Sequence, residues 1–496
     1  MSSQAATAGA SARPPPLRLR RVQDADLRDK VVLVRVDHNC VKRGAMTDAF
    51  RVDATVATLY TIVERGGRPI LITHVGRPFD PKARRISCSD DESVIPVARY
   101  LSRVLGVTFA VPEFRVDPTR GILDVDTSVN WLVEDLKNRR VGGVYLPNAR
   151  WFAGEEGLVA GPDAGDVALA RDRFATQLAG LADVFVNDAF GSWQPHVSTL
   201  GVAKLLPSYA GLLMQRECDA LRALIEPKRP FVAVLAGSKL DTKIGTVRAV
   251  AERCDALLLG GVLYNAYVAA KRGVDVEGVS EGDVELAREF LLDDAIESKL
   301  VPLETLVESD SPDGCGCVVR EGRCETKDDA SSGVRRVRVG DLRRGESRGY
   351  FLDVAASSFD AEAVREAVAN AETIFVNAVM GYTSKGFHEG TAALDALIAS
   401  NARARKYFGG GDTIHEFKSL SPGLYMSALE DPRFYLFTGG GTVLKALELG
   451  GPEKLATVEA LAMKPDEATG AEAEANAPKC MRLASCDCGP TETTPA

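Results

Sequence analysis

The sequence predicts an α/β protein made of two doubly wound parallel-sheet, Rossmann-like domains joined by a hinge helix. Three observations support this fold class. The chain has 496 residues, more than one hydrophobic core usually serves. From Lys30 onward, short apolar runs alternate with amphipathic segments, which is typical of βαβ units around a parallel sheet. The same rhythm restarts after Pro230 and so indicates a second sheet.

Continuous apolar runs predict the buried strands of each sheet. In the first half these runs are Val31–Val36, Pro69–Thr73, Gly143–Leu146 and Ala182–Asn187. In the second half they are Phe231–Ala236, Ala256–Gly260, Thr373–Asn377, Lys406–Gly409 and Arg433–Thr438. Between the halves, a helical pattern predicts an interdomain helix that begins at Pro207–Ser208 and runs to about Ile225.

These patterns divide the chain into six parts. We expect a flexible extension over 1–21, an N-terminal domain over 22–206, the hinge helix over 207–226, a C-terminal domain over 227–450, a returning segment over 451–463 and a disordered tail over 464–496. Within the C-terminal domain, residues 310–338 are polar and lack an apolar period, so they predict an insertion loop.

Composition narrows the class of protein. Hydrophobic residues make up 45% and charged residues 26% of the chain, which is typical of a globular protein. The net charge of -9 gives no general attraction to nucleic acid or membranes, so an anion site has to come from local basic clusters. No apolar run is long enough to span a bilayer. We expect a cytoplasmic monomer that binds small molecules; an organellar location stays open.

The ten cysteines predict reduced thiols, because the chain has no C-x-x-C pair. The Cys315–Cys317 and Cys486–Cys488 clusters leave metal binding or oxidation as an alternative, although their spacing is not that of a tetrahedral zinc site.

Polar residues follow three predicted strands of the first half, where open α/β sheets bind ligands. Asp37 and Asn39 follow the first strand and offer hydrogen bonds to a hydroxylated acid. His74 and Arg77 follow the second strand, and Arg150 follows the third. Guanidinium groups suit phosphate, and Arg51 is a further candidate. Each such loop alone is as often an ordinary turn or a surface arginine, but several at one sheet edge converge.

The second half offers complementary phosphate-binding turns. Lys239 and Lys243 lie four residues apart after a strand, at the start of a helix. The Gly409–Thr413 turn offers backbone N–H groups to phosphate, and its Asp412 offers a carboxylate to magnesium. Gly439–Gly441 repeats this pattern, although a lone glycine run is equally typical of a tight turn. The P-loop and protein-kinase motifs are absent from the sequence.

In this order along the chain, the motifs resemble those of the phosphoglycerate kinase family over about residues 27–461. They read V-D-H-N, T-H-V-G-R-P, L-P-N-A-R, L-A-D-V-F-V-N-D-A-F-G, P-S-Y-A-G-L-L-M-Q-R-E, A-G-S-K-L-D-T-K-I, G-G-G-D-T and F-T-G-G-G-T. The resemblance implies the phosphoglycerate kinase fold. It also implies an N-terminal domain that binds 3-phosphoglycerate, a C-terminal domain that binds Mg-ADP or Mg-ATP, and hinge closure between them.

The resemblance also implies roles for individual residues. Arg51, Lys243 and Gly411 would be catalytic. The substrate would contact Asp37, Asn39, Arg51, His74, Arg77, Arg150 and His196. The nucleotide would contact Gly237, Lys239, Lys243, Gly261, Asn377, Gly410, Gly411, Asp412 and Thr413, with Asp412 as the Mg²⁺ ligand.

The sequence departs from the family pattern at three places. The Gly191–His196 stretch lacks an arginine that the family uses for the 3-phosphate, and a charge-assisted contact of this kind contributes about 1.5–3 kcal/mol. Ser384 stands where the family has a ribose-binding carboxylate, and Val262 stands where it has a glycine lining the adenine pocket. We expect reversible phosphoryl transfer between 1,3-bisphosphoglycerate and ADP. A family member that has lost catalysis, or a binding module acting through its cysteine-containing tail, are the alternatives.

Overall fold

The computed structural model describes residues 17–159, 164–237, 240, 243–312 and 333–463. Several predictions fall outside this part of the chain. They are the nucleotide contact of Lys239, the disordered tail, most of the insertion loop, most of the N-terminal extension, and the cysteine clusters at 315–317 and 486–488.

The N-terminal domain is built on a parallel sheet of six strands, in the order Ser208–Ala210, Val184–Asn187, Val31–Arg35, Arg68–Ile72, Gly143–Tyr145 and Phe109–Ala110. Its strands are β1 Val31–Arg35, β2 Val41–Lys42, β3 Ala45–Met46, β4 Arg68–Ile72, β5 Phe79–Asp80, β6 Arg85–Ile86, β7 Phe109–Ala110, β8 Val116–Asp117, β9 Gly121–Ile122, β10 Gly143–Tyr145, β11 Val184–Asn187 and β12 Ser208–Ala210. Its helices are α1 Phe50–Glu64, α2 Ile95–Leu105, α3 Val129–Lys137, α4 Ala153–Glu156 and α5 Ala164–Ala179. The four strands predicted for this half are confirmed by β1, β4, β10 and β11.

Helix α6, Leu212–Ile225, leads into the C-terminal domain. The strands of that domain are β13 Phe231–Gly237, β14 Ala256–Gly260, β15 Asp275–Val276, β16 Thr305–Ser309, β17 Val334–Arg338, β18 Ser347–Arg348, β19 Tyr350–Val354, β20 Thr373–Asn377, β21 Arg405–Gly409 and β22 Phe434–Phe437. The further helices are α7 Ile244–Ala251, α8 Gly261–Arg272, α9 Glu281–Phe290, α10 Asp294–Glu297, α11 Glu362–Asn370, α12 Glu389–Ser400, α13 Gly411–Leu420, α14 Pro422–Glu430, α15 Gly440–Leu449 and α16 Ala456–Glu459.

The main sheet of the C-terminal domain is parallel, with the order β14-β13-β20-β21-β22, and contains all five strands predicted for this half. A separate antiparallel sheet has the order β17-β16-β19. Strand β17 lies within the range predicted as an insertion loop, so that prediction is wrong for Val334–Arg338. This stretch, V-R-R-V-R, has no alternating apolar pattern, but it pairs with β16 along the whole length of that strand.

The predicted start of the hinge helix is also wrong. Ser208–Ala210 forms strand β12 beside β11, and α6 begins only at Leu212. The cap of α6 comes from elsewhere in the chain, because the Asp188 carboxylate accepts hydrogen bonds from the backbone N–H groups of Leu213 at 2.9 Å and Met214 at 3.2 Å.

The two ends of the described chain meet. The backbone N–H of Arg20 donates to the carbonyl of Leu461 at 2.8 Å, and Leu19 forms an antiparallel bridge with Ala462. Ala460 packs against the core of the N-terminal domain. The extension predicted to be flexible up to residue 21 therefore ends earlier, and the segment after α15 returns to the N-terminal domain.

Sheet order determines where ligands can bind. In the first sheet β1 lies between β4 and β11, and in the second sheet β13 lies between β14 and β20. In both sheets, the strand that follows the first one is added on one side of it, and a later strand is added on the opposite side. Such topological switch points open a crevice at the carboxyl ends of the strands, so they are the expected ligand sites of the fold.

No helix within the described ranges is long and apolar enough to cross a membrane. The cysteines in those ranges, at 40, 88, 218 and 254, are free thiols, in agreement with the prediction for these four.

Candidate functional site

The first half of the site lies at the switch point of the N-terminal sheet, just after β1. Asp37 is buried, with 3% of its surface exposed, and Arg51 reaches it from the first turn of α1. The Nη1 atom of Arg51 lies 3.3 Å from both carboxylate oxygens of Asp37. About a quarter of the Arg51 side chain stays accessible. The ion pair therefore holds one edge of the guanidinium and leaves other N–H donors available to a ligand.

His74 connects the loops after β1 and β4. Its Nδ1 accepts a hydrogen bond from Nη2 of the buried Arg35 at 3.0 Å, and its Nε2 lies 3.3 Å from Nδ2 of Asn39. Oδ1 of Asn39 accepts from the backbone N–H of Gly76 at 3.0 Å. Burial, together with the neighbouring Arg35 and Arg150, holds the pKa of His74 well below its usual value, so the ring is neutral near pH 7.

Arg77 and Arg150 lie on the rim of the same loops. The Arg77 side chain is exposed and has no partner among the described residues, while its backbone N–H donates to Oε1 of Glu92 at 3.0 Å. Nη1 of Arg150 donates to the carbonyl of Gly76 at 2.5 Å. The structure thus brings six predicted substrate residues to one sheet edge: Asp37, Asn39, Arg51, His74, Arg77 and Arg150.

A carboxylate, that of Glu156, lies between two basic side chains of this half of the site, Arg150 and His196. Oε1 of Glu156 lies 3.4 Å from Nε of Arg150 and 3.3 Å from Nε2 of His196. Burial and the nearby Arg150 lower the pKa of His196 to about 4, so its ring is neutral at pH 7. His196 therefore joins the site through Glu156, and this pairing neutralises part of the basic patch.

The second half of the site lies at the switch point of the C-terminal sheet. Nζ of Lys243 donates to Oδ1 of Asn377, at the end of β20, at 3.2 Å, and to the carbonyl of Ala236 at 2.5 Å. A Cβ atom at Gly237 would lie 2.9 Å from Cδ of Lys243, so the glycine makes room for the folded-back lysine. Burial lowers the pKa of Lys243, while Asp412 opposes that shift.

The start of α13 supplies the predicted phosphate-binding turn. Gly410 has a φ of 118°, a conformation that favours glycine, and precedes the first helical residue, Gly411. The N–H groups at this end have no partners within the helix and suit an anion. Thr413 is buried, and Asp412 is exposed. Gly261 begins α8 beside Gly237, with which it forms a parallel bridge.

The donor set around Asp412 fits magnesium held partly by a ligand. No group of three or more His, Cys, Asp or Glu residues in the described ranges forms an all-protein metal site. Mg²⁺ commonly binds through one or two carboxylates, substrate phosphates and water. One exposed carboxylate beside a phosphate-binding helix end meets that requirement.

Glycine contacts join the two half-sites. A Cβ at Gly191 would lie 2.0 Å from Oδ2 of Asp37, and one at Gly439 would lie 2.4 Å from Cα of Gly191. A Cβ at Gly440 would lie 2.2 Å from Cα of Gly410. Gly191 therefore lies between the Asp37 side chain and the backbone of Gly439, Gly440 packs on the backbone of Gly410, and the two switch points face each other.

The hinge lies directly behind these contacts. Glu217 of α6 is fully buried, and its Oε1 accepts a hydrogen bond from the backbone N–H of Thr438 at 2.9 Å. Among the described residues, its Oε2 has no hydrogen-bond partner. Burial raises the pKa of Glu217 to about 8. The rings of Phe190 and Phe437 stack nearby, with centroids 6.4 Å apart.

Two buried residues belong to the site although sequence reasoning assigned them no role. Nε of Arg35 donates to Oγ of Ser198 at 2.8 Å, and Oγ of Ser198 donates to Oε1 of Glu155 at 2.5 Å. Arg35 stands immediately before the V-D-H-N motif. A charged residue at the end of a buried strand could therefore have indicated from the sequence that Arg35 belongs to the site. Glu155 follows a different strand, and nothing in the local sequence connects it to Arg35.

The departures from the family pattern lie in the outer part of the second half. Ser384 is exposed, and its neighbour Thr383 donates through Oγ1 to Oε1 of Glu416 at 2.8 Å. Val262 is half-buried in the first turn of α8, directly after Gly261.

Comparison with known proteins is consistent across sequence and structure. A family profile described as "Phosphoglycerate kinase" matches residues 22–449. A phosphoglycerate kinase of Dictyoglomus turgidum is 31% identical over 434 residues, covering 86% of this chain and 95% of its own. "Phosphoglycerate kinase 1, chloroplastic" of Arabidopsis thaliana is 33% identical over 439 residues, covering 86% and 78%.

Two solved structures share the fold. The phosphoglycerate kinase of Coxiella burnetii matches with a TM-score of 0.64 at 23% identity, covering 90% of this chain and 99% of the other. The enzyme of Pyrococcus horikoshii matches with a TM-score of 0.63 at 22% identity, covering 89% and 98%.

Proposed function

Because the chain belongs to the phosphoglycerate kinase family, we propose that it catalyses reversible phosphoryl transfer from 1,3-bisphosphoglycerate to ADP, giving 3-phosphoglycerate and ATP. A terminal oxygen of ADP attacks the acyl phosphate, the bond from phosphorus to the carboxyl oxygen breaks, and the carboxylate of 3-phosphoglycerate leaves. Such a transfer needs alignment and charge neutralisation rather than a covalent intermediate.

On the substrate side, Asp37 and Asn39 would hold the glycerate, while Arg77 and Arg150 would bind its 3-phosphate. The neutral His74 would orient Arg35 and Asn39 through the contacts at 3.0 and 3.3 Å. Arg51 would turn its free N–H donors toward the phosphoryl group in transfer. His196 would act by sharing Glu156 with Arg150.

On the nucleotide side, the N–H groups at Gly411 and Thr413 would receive the phosphates, with Gly237, Gly261, Gly410 and Asn377 shaping the pocket. Lys243 would leave its carbonyl contact and follow the transferred group, and Lys239 would meet the nucleotide phosphates. Bound magnesium would neutralise phosphate charge, with Asp412 as its protein ligand.

The observation that carries the proposal is the contact between Gly191 and Gly439. It brings the Arg51–Asp37 pair of one sheet against the Gly439 turn of the other, whose Gly440 packs on Gly410 at the start of α13. A binding protein for either ligand alone would not need two phosphate-handling crevices that face each other. Transfer between two bound phosphate compounds does need this arrangement.

A coupled assay tests the proposal. Purified protein is supplied with 1,3-bisphosphoglycerate and Mg-ADP, and ATP formation is followed through hexokinase and glucose-6-phosphate dehydrogenase. We expect turnover that requires magnesium and is lost in Lys243→Ala. Absence of turnover under saturating substrates would contradict the proposal.

A second candidate, a non-catalytic binder, is favoured by two observations. Glu156 already pairs with both Arg150 and His196, and the Gly191–His196 turn lacks a further arginine. Calorimetry with 3-phosphoglycerate and ADP separates the two candidates, because a binder retains affinity without turnover.

For the cellular setting, we place the reaction in glycolysis in the cytoplasm. We propose a monomer whose partners are its small-molecule substrates rather than nucleic acid or membranes. Size-exclusion chromatography with light scattering tests the oligomeric state.

A further inference from the structure

A cavity of about 460 Å³ lies beside the proposed active site, between α2, the loop before α1, and α13. Thr47, Asp48, Arg99, Tyr100 and Arg103 line it from the N-terminal domain, and Lys418 lines it from the C-terminal domain. None of these residues has a role in the proposed reaction. The volume lies within the range of small-molecule sites.

The two arginines of this cavity have uncompensated charges. Arg99 and Arg103 are four residues apart on α2, so they share one face of the helix, and both are exposed. Neither has an ion-pair partner among the described residues. Other exposed arginines of this domain, such as Arg43 and Arg115, also lack an ion pair among the described residues, so Arg99 and Arg103 are distinguished by their shared helix face and their place in the cavity wall. Like charges at this spacing repel, and a bound anion would remove the repulsion.

The acidic groups nearby are already engaged. Oδ2 of Asp48 binds Nζ of Lys418 at 2.9 Å, and Oδ1 accepts from the backbone N–H of Phe50 at 2.5 Å. Asp53, behind the cavity wall, accepts from Oη of Tyr100 at 2.7 Å. The lining therefore contains three cations and one carboxylate, and that carboxylate faces the lysine rather than the arginines.

The same contacts fix the walls of the cavity. The hydrogen bond to Asp53 holds the Tyr100 ring in place, and the guanidinium of Arg103 lies 5.6 Å from the centre of that ring. Stacking on an aromatic face limits the freedom of a guanidinium but leaves its N–H groups available. Arg103 is thus oriented before any ligand binds.

We propose that this cavity binds a small soluble molecule carrying two or more phosphate groups. Guanidinium groups bind phosphate through paired N–H donors, so Arg99 and Arg103 would take one phosphate, while Lys418 would contact a second as a point charge. Since Lys418 belongs to α13, whose first turn forms the proposed nucleotide site, a bound ligand would connect that helix to α2 across the domain boundary.

Calorimetry with inorganic tripolyphosphate tests the proposal on the full-length chain. The parent protein is compared with Arg99→Gln/Arg103→Gln and with a control, Arg115→Gln/Arg365→Gln. The control removes the same charge from two exposed arginines outside the cavity. All proteins keep the proposed active site intact, so a difference between the two variants reports the cavity alone.

We expect the cavity variant to lose one binding event or to weaken it by about tenfold or more, with the control close to the parent. An equal change in both variants, or no change in either, would overturn the proposal. Adding sodium sulfate at an ionic strength equal to that of the tripolyphosphate solution should not displace tripolyphosphate from the cavity. If sulfate displaced it, the binding would be general charge screening, and the proposal would be overturned.

Two further readouts test the domain-bridging part. Lys418→Gln should weaken tripolyphosphate binding several-fold, and an unchanged affinity would contradict the bridging. The Michaelis constants of Arg99→Gln/Arg103→Gln for ADP and 1,3-bisphosphoglycerate should match those of the parent when tripolyphosphate is absent. A large increase would place these arginines in the active site instead. Because the binding experiment needs no turnover, its outcome does not depend on the proposed catalytic function.

Discussion

Replacement of Arg51 by alanine tests the proposed chemistry at its centre. The guanidinium lies 3.3 Å from both oxygens of Asp37, which is 3% exposed, and about a quarter of the arginine side chain is accessible. We therefore expect two separate effects, one on catalysis and one on stability. The first arises from the free N–H donors, and the second from the contact with Asp37.

The catalytic effect should dominate. An arginine that neutralises charge in a phosphoryl-transfer transition state contributes on the order of 10³ to 10⁵ in rate. We expect kcat to fall by about 10³, which corresponds to about 4 kcal/mol, while KM changes by less than about tenfold. The stability effect should be smaller, about 1–2 kcal/mol, because the contact is long and partly solvated.

The coupled ATP assay gives kcat and KM, and urea unfolding gives the free energy of unfolding. Arg115→Ala, an exposed arginine of the same domain, is the matched control and should leave both unchanged. Arg51→Lys should keep part of the stability but little of the rate, since an ammonium cannot reproduce the paired donors. Equal turnover for Arg51→Ala and the parent would refute the proposed role.

Three further predictions concern the hinge, the domain contact and the nucleotide pocket. Because the pKa of Glu217 is raised to about 8, the folded chain keeps a proton that the unfolded chain releases near pH 4.5, so stability falls as pH rises between these values. Glu217→Gln should remove this slope in urea unfolding measured from about pH 5 to about pH 9. We expect the domains to close when both ligands bind, which small-angle scattering would detect as a more compact particle; Gly439→Ala should abolish this compaction and reduce turnover, because the new Cβ would lie 2.4 Å from Cα of Gly191. ATP, GTP and ITP should bind with similar, weak affinity in calorimetry, since Ser384 replaces a carboxylate and the phosphate turn is retained.

Each of these predictions has a distinct contrary outcome. An unchanged pH slope in Glu217→Gln would mean that this carboxylate is ionised in the folded protein. Normal compaction in Gly439→Ala would show that the glycine contact does not limit closure, and Gly441→Ala, with open space at its Cβ, is the control. Strong selection for adenine would contradict the reading of the nucleotide pocket.

The sequence predicted best the features that depend on continuous burial. All nine predicted strands are present, because central strands of parallel sheets are covered on both faces and appear as unbroken apolar runs. Strand β12 was assigned to the hinge helix instead. The Asp188 carboxylate that caps α6 lies more than 20 residues away in sequence, so no local pattern placed the start of the helix at Leu212.

The same limit applies to the site. Residues after strands were found, since the ends of parallel strands share one edge of a sheet. The contacts of Glu156 with Arg150 and His196 were not found, because His196 lies 40 residues from Glu156 in the chain, and the six-residue spacing of Arg150 and Glu156 follows no regular helix or strand period. The two glycine runs were recognised as turns. The sequence did not show which glycines are sterically required, because that depends on tertiary contacts such as those at Gly191 and Gly439.

The position of the altered residues bears on whether catalysis can persist. Ser384 is exposed and Val262 lies in the first turn of α8. By contrast, Arg51 pairs with Asp37 beside the Gly191–Gly439 contact, and Lys243 contacts Asn377 at the carboxyl end of β20. Contacts to the part of a ligand that is far from the reacting atoms chiefly affect KM, whereas charge placed near the transferred group affects kcat. Weakened recognition and retained transfer are therefore compatible in one molecule. An enzyme altered in this way should show raised KM values for both substrates with a kcat that still depends on Arg51 and Lys243. In a family member that has lost catalysis, replacing Arg51 or Lys243 would change ligand binding no more than replacing any other exposed arginine or lysine.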